Sequence, residues 1–313
     1  MKVLVIDTIA PEGIAHLTER GFQVDQVSSK LERETLLARL GDYEGIVTRS
    51  STAVTPEFLG RARRLRILGR AGVGVDNIDV DAATRAGIAV VNAPTANTLA
   101  AAEHTLALLL ALARRVATAD ASVRRGEWRR GDFMGTELGG KTLGIVGLGR
   151  VGLAVADRAR AFAMNLLGSD PLVSAEAAAT YGVRLVDVDA LLAESDVVTL
   201  HVPLVAGTRG LLDAARLGRM KRGALLVNVA RGGVVDENAL ADALISGRLG
   251  GAAIDVFEHE PLADSPLLKA PNTVLTPHLG ASTAEAQARA SLEVVQGVVD
   301  VLAGRPATHR VNR

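Results

Sequence analysis

Three polar side chains follow apolar runs in the second half of the sequence. Arg231 follows the run LLVNVA, Glu260 follows AAIDVFEH, and His278 follows TVLTP. Because the carboxyl ends of parallel strands meet at one edge of a sheet, these side chains can lie together despite the intervening sequence. A guanidinium binds a carboxylate and polarises a keto oxygen. Histidine exchanges a proton near pH 7, and a carboxylate orients its imidazole and favours the charged form.

This set of groups is suited to hydride transfer between a nicotinamide and a 2-hydroxy or 2-oxo acid. Glu258 is an alternative to Glu260, and we favour Glu260 because it directly precedes the proline that ends the motif. Arg231 is followed by two glycines, which permit the close approach of a ligand.

The segment Gly147-Leu148-Gly149-Arg150-Val151-Gly152 has the G-x-G-x-x-G spacing of a dinucleotide-binding turn. It follows a predicted strand at 142–146 and opens a predicted helix at 150–161, which is the context that the motif requires. The three glycines permit a tight turn, approach of a pyrophosphate, and close packing of helix on strand. The helix N-terminus presents N–H groups and a positive partial charge to the phosphates.

Asp170 ends the next predicted strand, where an acidic side chain binds the hydroxyls of the adenosine ribose. A carboxylate there repels a 2′-phosphate, and residues 171–181 contain no Arg or Lys to bind one. NAD is therefore the predicted cofactor. No metal site is predicted, because no His, Asp or Glu residues have ligand spacing in a supporting context.

Composition excludes several classes of protein. The 313 residues include 35 basic and 35 acidic side chains, so the chain lacks the excess of basic residues typical of proteins that bind nucleic acids or anionic membranes. There is no cysteine, which excludes disulfides and thiolate chemistry. A hydrophobic content of 48% indicates a globular chain, and its length predicts about two domains. No segment resembles a signal peptide or a membrane span, so we expect a soluble cytoplasmic protein.

Apolar runs alternate with helical segments, which predicts an α/β fold with parallel sheets covered by helices. A long helix is predicted for 96–125 and a final helix for 283–302. The predicted strands before and after the long helix are 3–7, 45–49, 65–71, 88–92, 141–149, 164–170, 196–202, 223–230, 250–256 and 272–278.

Four separated motifs resemble those of the D-isomer-specific 2-hydroxyacid dehydrogenase family. They are GLGRVG (147–152), NVARGGVVDENAL (228–240), AAIDVFEHEP (252–261) and TPHLGAST (276–283). The resemblance covers essentially the whole chain and implies that Arg231, Glu260 and His278 are catalytic. It also implies two Rossmann-like or flavodoxin-like parallel-sheet domains. The substrate domain is then discontinuous, at 1–97 plus 284–313, and the NAD-binding Rossmann domain covers 98–283.

Within that family the chain is most similar to members that oxidise D-3-phosphoglycerate to 3-phosphohydroxypyruvate in serine biosynthesis. The similarity lies in the segments 49–54, 69–88, 91–108 and 126–145. It implies that the backbone of Gly72, Val73 and Gly74 binds the substrate carboxylate, that Asn97 lies at a hinge, and that Arg49 contacts the far end of the substrate. Ser50 is a further expected substrate contact. The further expected cofactor contacts are Val202, Pro203, Thr208, Ala230, Asp255 and Gly280.

Some alternatives remain open. A glyoxylate/hydroxypyruvate reductase needs the same three catalytic residues, and an NAD-sensing corepressor or scaffold can use the same fold. At Arg49, a solvated strand-end arginine is as good an interpretation as a substrate contact. Many members of the subgroup continue into serine-binding regulatory domains. This chain ends at 308–313, near the start of those extensions, so we expect a short form or a truncated chain. We also expect a homodimer or homotetramer through the cofactor domain, with Trp128 as a candidate anchor.

Overall fold

The computed structural model describes residues 1–312 and divides the chain into two compact units. The first contains Met1–Asn97 and the chain from Ala281 onward, and the second is Thr98–Gly280. The boundary before the final helix thus falls three residues earlier than the one expected at 283–284. Of the range expected for the first domain, Arg313 lies outside the described residues.

The strands in chain order are β1 (Lys2–Ile6), β2 (Gln23–Val27), β3 (Gly45–Thr48), β4 (Ile67–Arg70), β5 (Ala89–Val91), β6 (Thr142–Val146), β7 (Asn165–Ser169), β8 (Val183–Leu185), β9 (Val197–Leu200), β10 (Leu225–Asn228), β11 (Gly251–Ile254) and β12 (Thr273–Leu275). The α-helices are α1 (Pro11–Thr18), α2 (Arg33–Arg39), α3 (Pro56–Arg61), α4 (Val80–Arg85), α5 (Thr98–Ala113), α6 (Val116–Arg124), α7 (Arg150–Arg160), α8 (Ala175–Ala179), α9 (Val188–Glu194), α10 (Ala214–Arg219), α11 (Glu237–Ile245) and α12 (Ala284–Leu302). Short 3₁₀ helices cover Leu40–Asp42, Arg130–Phe133 and Pro266–Leu268.

The first unit is built on a five-stranded parallel sheet in the order β2-β1-β3-β4-β5. Its C-terminal helix α12 packs on this sheet. A Cβ at Gly69 in β4 would lie 2.5 Å from Val294 Cγ1 and 3.1 Å from Val298 Cγ2. Glycine at this strand position therefore lets α12 approach the sheet closely, and both valines are fully buried there.

The second unit is built on a seven-stranded parallel sheet in the order β12-β11-β10-β9-β6-β7-β8. From β6 the chain proceeds outward to β7 and β8, and then returns to pair β9 with the other side of β6. The strand order reverses between β6 and β9, and ligands of doubly wound sheets bind at such a switch point. The α/β prediction with parallel sheets is confirmed.

Two edge strands, β2 and β8, were missed in the sequence. Strand β2 has the sequence QVDQV and none of its residues is fully buried. A strand at a sheet edge lacks neighbours on one side, so it does not show the continuous apolar run that marks a buried parallel strand.

The single long helix predicted for 96–125 is wrong, because the structure divides it into α5 and α6. Arg115, between them, adopts the left-handed conformation with φ 53°. The carbonyl of Ala113, the last residue of α5, accepts a hydrogen bond from Thr136 N at 2.8 Å. A Cβ at Gly135 would lie 2.8 Å from the same carbonyl oxygen. The chain at 135–136 therefore packs against the end of α5 and caps it, a contact that periodicity does not reveal.

Candidate active site

The glycine-rich turn lies at the switch point of the second sheet. Gly147 has φ 93°, and a Cβ there would lie 2.6 Å from His201 O, just after β9. A Cβ at Gly152 would lie 2.0 Å from Gly147 O, so glycine permits α7 to start directly against the turn. Nothing lies within 4 Å of the Cβ position of exposed Gly149. Its backbone thus remains open to a ligand at the N-terminus of α7, as a pyrophosphate requires.

Asp170 follows β7 and its carboxylate is held beside this turn. Oδ2 accepts a hydrogen bond from Leu148 N at 2.8 Å, and Oδ1 accepts one from Leu172 N at 2.9 Å. The side chain is half-buried. The open glycine backbone and an adjacent fixed carboxylate are the two features that the phosphates and the adenosine ribose of a dinucleotide need, so the residues present fit such a cofactor.

Other residues expected at the cofactor site surround the same edge of the sheet. Val202 and Pro203 follow β9, and Thr208 O–H donates to Pro203 O while its oxygen accepts from Val205 N. Arg150 is exposed and Val151 half-buried in the first turn of α7.

Arg231 follows β10 in a turn organised by Asn228, a residue that sequence reasoning missed. The Asn228 side chain, 2% exposed, donates to Arg231 O at 3.0 Å and accepts from Ala230 N at 3.0 Å. The Arg231 guanidinium donates through Nη1 to Ala230 O at 2.7 Å. A polar residue that ends an apolar strand is the signal that could have identified Asn228, because a buried amide requires partners.

The turn that carries Arg231 packs directly on the loop that carries Glu260. A Cβ at Gly232 would lie 1.9 Å from Phe257 O, so these two backbones touch only because residue 232 is glycine. Phe257 N in turn donates to Glu260 Oε1 at 3.1 Å. The Glu260 carboxylate is therefore fixed through the same short segment.

The imidazole of His278 pairs with Glu260. Nδ1 of His278 lies 2.8 Å from Oε2 of Glu260. An ionised carboxylate only accepts, so Nδ1 carries a proton and donates it, and Nε2 is left to face a ligand. The side chains of His278 and Glu260 are 48% and 37% exposed, respectively, so solvent and substrate can reach them. Glu258 instead donates its backbone N–H to Glu237 Oε1 at 2.8 Å.

His278 has φ 56°, a left-handed conformation that is uncommon for a residue with a side chain. Asp255 braces this turn, because its backbone oxygen accepts from His278 N at 2.9 Å. Its carboxylate accepts from Leu279 N at 2.8 Å and from Gly280 N at 2.9 Å. Asp255 is fully buried, so the structure displays this bracing role, and the cofactor contact expected of it stays a prediction.

The Asp255 carboxylate also meets the side chains of His104 and Thr276. Burial raises the pKa of Asp255, but hydrogen bonds from His104, Thr276 and Leu279 N outweigh it and leave the pKa below its ordinary value. His201, which follows β9, pairs with Thr199 Oγ1 at 3.0 Å, and burial lowers the pKa of its imidazole to about 3. His201 is therefore neutral at physiological pH.

The expected substrate residues lie in the first unit, at the carboxyl edge of its sheet. Arg49 follows β3 and the segment Gly72–Gly74 follows β4; Ala71 N donates to Thr48 O at 2.8 Å, which places the two segments side by side. Gly72 has φ 152°, and a Cβ there would overlap the Arg70 guanidinium. Within residues 1–312, the N–H groups of Val73 and Gly74 donate to no backbone carbonyl.

The Arg49 side chain donates through Nη1 to Thr8 O at 3.2 Å. Ser50 is exposed and Asn97 is half-buried at the end of the first segment of this unit. In the described part of the chain, no group of three or more His, Asp or Glu side chains is arranged to hold a metal ion. No helix among these residues is both long and apolar enough to cross a bilayer.

Residues 106–280 match the family described as D-isomer specific 2-hydroxyacid dehydrogenase, NAD binding domain. This chain belongs to that family. The matched range contains the glycine-rich turn, Asp170 and the Arg231–Glu260–His278 group, so the dehydrogenase assignment and the candidate site coincide in sequence.

Similarity to other proteins covers essentially the whole of this chain. A D-3-phosphoglycerate dehydrogenase from Archaeoglobus fulgidus is 50% identical over 313 residues, which is 100% of this chain and 59% of that protein. A solved structure from Thermus thermophilus has a TM-score of 0.90 at 39% identity and covers 99% of this chain and 100% of its own. The apo D-lactate dehydrogenase of Escherichia coli has a TM-score of 0.88 at 30% identity, covering 99% and 100%. The chain thus spans about three fifths of the phosphoglycerate dehydrogenases that it matches.

Proposed function

We propose that this dehydrogenase oxidises D-3-phosphoglycerate to 3-phosphohydroxypyruvate with NAD, the reaction that opens serine biosynthesis. The observation that carries this proposal is the His278–Glu260 pair beside the turn of Arg231, at the carboxyl edge of an NAD-binding domain. The similarity to phosphoglycerate dehydrogenases supports the choice of substrate.

In the oxidation direction, Nε2 of His278 removes the proton of the substrate hydroxyl while C2 loses a hydride. Bound NAD supplies the acceptor for that hydride. Glu260, held by Phe257 N, orients the imidazole and stabilises the imidazolium that forms. The Arg231 guanidinium binds the substrate carboxylate and polarises the C2 oxygen. Replacement of His278 or Arg231 by alanine should lower turnover by orders of magnitude while NAD binding persists.

The residues that would hold NAD are the backbone of 147–152 for the pyrophosphate and Asp170 for the adenosine ribose. Selection of NAD over NADP is supported by the fixed charge of Asp170, whose two oxygens already accept from backbone N–H groups. A 2′-phosphate would be placed against this carboxylate with no basic residue in 171–181 to offset the repulsion.

For the substrate itself, the family resemblance supports a contact of the N–H groups of Val73 and Gly74 with a carboxylate, since successive backbone N–H groups of a turn bind anions. Arg49, on the neighbouring segment, is assigned to the phosphate. The guanidinium has a planar fork of donors that matches phosphate oxygens.

The test is the initial rate of NADH formation with D-3-phosphoglycerate, compared with D-glycerate and with NADP in place of NAD. The proposal expects NAD-dependent turnover of the phosphorylated acid that is strongly reduced in Arg49→Ala. Activity on D-glycerate alone would indicate a glyoxylate/hydroxypyruvate reductase, to be assayed with those 2-oxo acids and NADH. Binding of NAD without turnover of any of these acids would indicate a cofactor-sensing scaffold.

We also propose that the chain forms a homodimer through α6 and the segment that follows it. Val116 and Val123 on α6, together with Trp128 and Met134, are large apolar side chains that are more than half exposed. Apolar groups of this size concentrated on one segment are typical of a protein–protein contact. The family resemblance supports a second copy of this chain as the partner.

A further inference from the structure

The carboxylate of Glu237 joins the two ends of the loop that carries Glu260. Glu237 is the first residue of α11, and its Oε1 accepts a hydrogen bond from Glu258 N at 2.8 Å. Its Oε2 accepts one from Ser265 Oγ at 2.7 Å. The two contacts lie on either side of Glu260, so one side chain contacts the loop both before and after that residue.

Apart from these contacts, the loop is held by Leu262, which packs against the core, and by the bond from Phe257 N to Glu260. In the part of the chain that the structure describes, no backbone group of residues 259–264 forms a hydrogen bond with another backbone group. Most of these residues are exposed. An exposed loop without backbone hydrogen bonds of its own samples many conformations unless other contacts restrict it. The carboxylate of Glu260 must nevertheless stay within hydrogen-bond distance of His278.

Glu237 is itself on a rigid element. Asp236 caps α11 by accepting from Ala239 N at 3.0 Å, and Leu240 of the same helix is fully buried. On the other side of the contact, Ser265 Oγ accepts from Leu267 N at 3.3 Å, which leaves its proton for Glu237. The carboxylate therefore links a packed helix to the loop on both sides of Glu260.

We propose that Glu237 is a positioning residue for the dehydrogenase reaction, holding the 258–265 loop so that Glu260 meets His278. The inference rests on the proposed function, because it assigns Glu237 a part in the reaction of the same site. Glu237 touches neither His278 nor Arg231 through any of the contacts described, so it acts through the loop alone.

Two conservative variants separate this role from a simple charge effect at the start of α11. Glu237→Asp keeps the negative charge that favours a helix N-terminus but is one methylene too short to reach both partners. Glu237→Gln removes the charge but keeps an oxygen for Glu258 N, and its amide can donate to Ser265 Oγ. Asp242→Asn, on exposed Asp242 of the same helix, is the matched control for loss of one charge.

The expected result is a kcat about 10- to 100-fold lower in Glu237→Asp, because small displacements of catalytic groups cost that much. The KM for NAD should stay within about twofold of wild type, since the glycine-rich turn is untouched. Glu237→Gln and Asp242→Asn should retain kcat within about threefold. The inference is overturned if Glu237→Asp keeps the wild-type kcat, or if Glu237→Gln is as impaired as Glu237→Asp.

A ¹⁵N NMR measurement on His278 distinguishes failure of the proposed function from failure of the Glu237 inference. If wild type does not oxidise D-3-phosphoglycerate, the proposed function fails, and the role of Glu237 is read from the ¹⁵N resonances of the His278 ring. These are assigned by their loss in His278→Gln. Glu237→Asp should move them toward their position in Glu260→Gln, whereas Glu237→Gln should leave them in place. Unmoved resonances in Glu237→Asp would overturn the inference independently of turnover.

Discussion

Nδ1 of His278 lies 2.8 Å from Oε2 of Glu260, while the other oxygen of the same carboxylate accepts from Phe257 N at 3.1 Å. Both carboxylate oxygens are therefore used, one for the imidazole and one for the loop backbone. The ring is held with Nδ1 toward Glu260, so Nε2 is the nitrogen available for proton exchange. Changes to this pair are therefore expected to affect the chemical step.

Glu260→Gln tests whether the partner of His278 Nδ1 must be a group that only accepts hydrogen bonds. If the amide oxygen keeps Phe257 N, the amide nitrogen faces Nδ1 and donates to it. The proton of a neutral imidazole must then move to Nε2, which can no longer act as a base. We expect kcat for alcohol oxidation to fall by about two to four orders of magnitude. The dissociation constant of NADH, measured by fluorescence titration, should stay within about threefold. A kcat within threefold of wild type would contradict the assignment of Glu260.

Asp170→Asn tests cofactor selection. The change removes the negative charge at the ribose position while an amide oxygen can still accept from one of the two backbone N–H groups. We expect the ratio of kcat/KM for NAD to that for NADP to fall by at least about tenfold, because the repulsion of a 2′-phosphate is relieved. Steady-state rates with both cofactors measure the ratio. An unchanged ratio would mean that selection lies elsewhere in the cofactor site.

Asp255→Asn tests the brace of the His278 turn. An amide oxygen cannot serve both Leu279 N and Gly280 N as the carboxylate does, so one buried donor loses its partner. We expect a loss of about 2–3 kcal/mol in the free energy of unfolding at pH 7.

The pH dependence of this loss follows from the lowered pKa of Asp255. A carboxyl whose folded pKa lies below its unfolded value stabilises the fold above the unfolded pKa, and that stabilisation disappears as the pH falls through the folded pKa. The difference between wild type and Asp255→Asn should thus shrink as the pH falls below about 4. Denaturant unfolding at a series of pH values measures it. A difference that grows on acidification would contradict the sign.

Trp128→Ala tests the proposed dimer surface. The indole is 79% exposed in the single chain, and removing a large anchor from an interface typically costs more than about 2 kcal/mol of association. We expect the average mass in solution, measured by light scattering across a dilution series, to fall toward that of a monomer at concentrations where wild type stays associated. Ile245→Ala, at an exposed apolar residue of α11, is the control and should leave the mass unchanged. An unaltered mass in Trp128→Ala would exclude Trp128 as an anchor.

The sequence alone determined the α/β class, the family and the order of the main elements, for identifiable reasons. Strands buried on both faces, such as β3 and β10, must be apolar along their length, so they stand out as runs. The glycine-rich turn is a local structure whose backbone needs specify residue types at fixed spacing. The candidate catalytic residues could be proposed because they are polar residues placed where those runs end.

Only the tertiary structure decided the features that depend on a distant partner. The break between α5 and α6 follows from contacts with residues 135–136, and β2 and β8 are strands because a neighbouring strand pairs with them. The roles of Asn228 and Glu237 are equally invisible in the chain, since an amide or a carboxylate supports a loop only where folding brings backbone N–H groups to it. Hydrogen bonds between segments far apart in sequence produce no repeating pattern in either segment. These residues could therefore be recognised only from the folded structure.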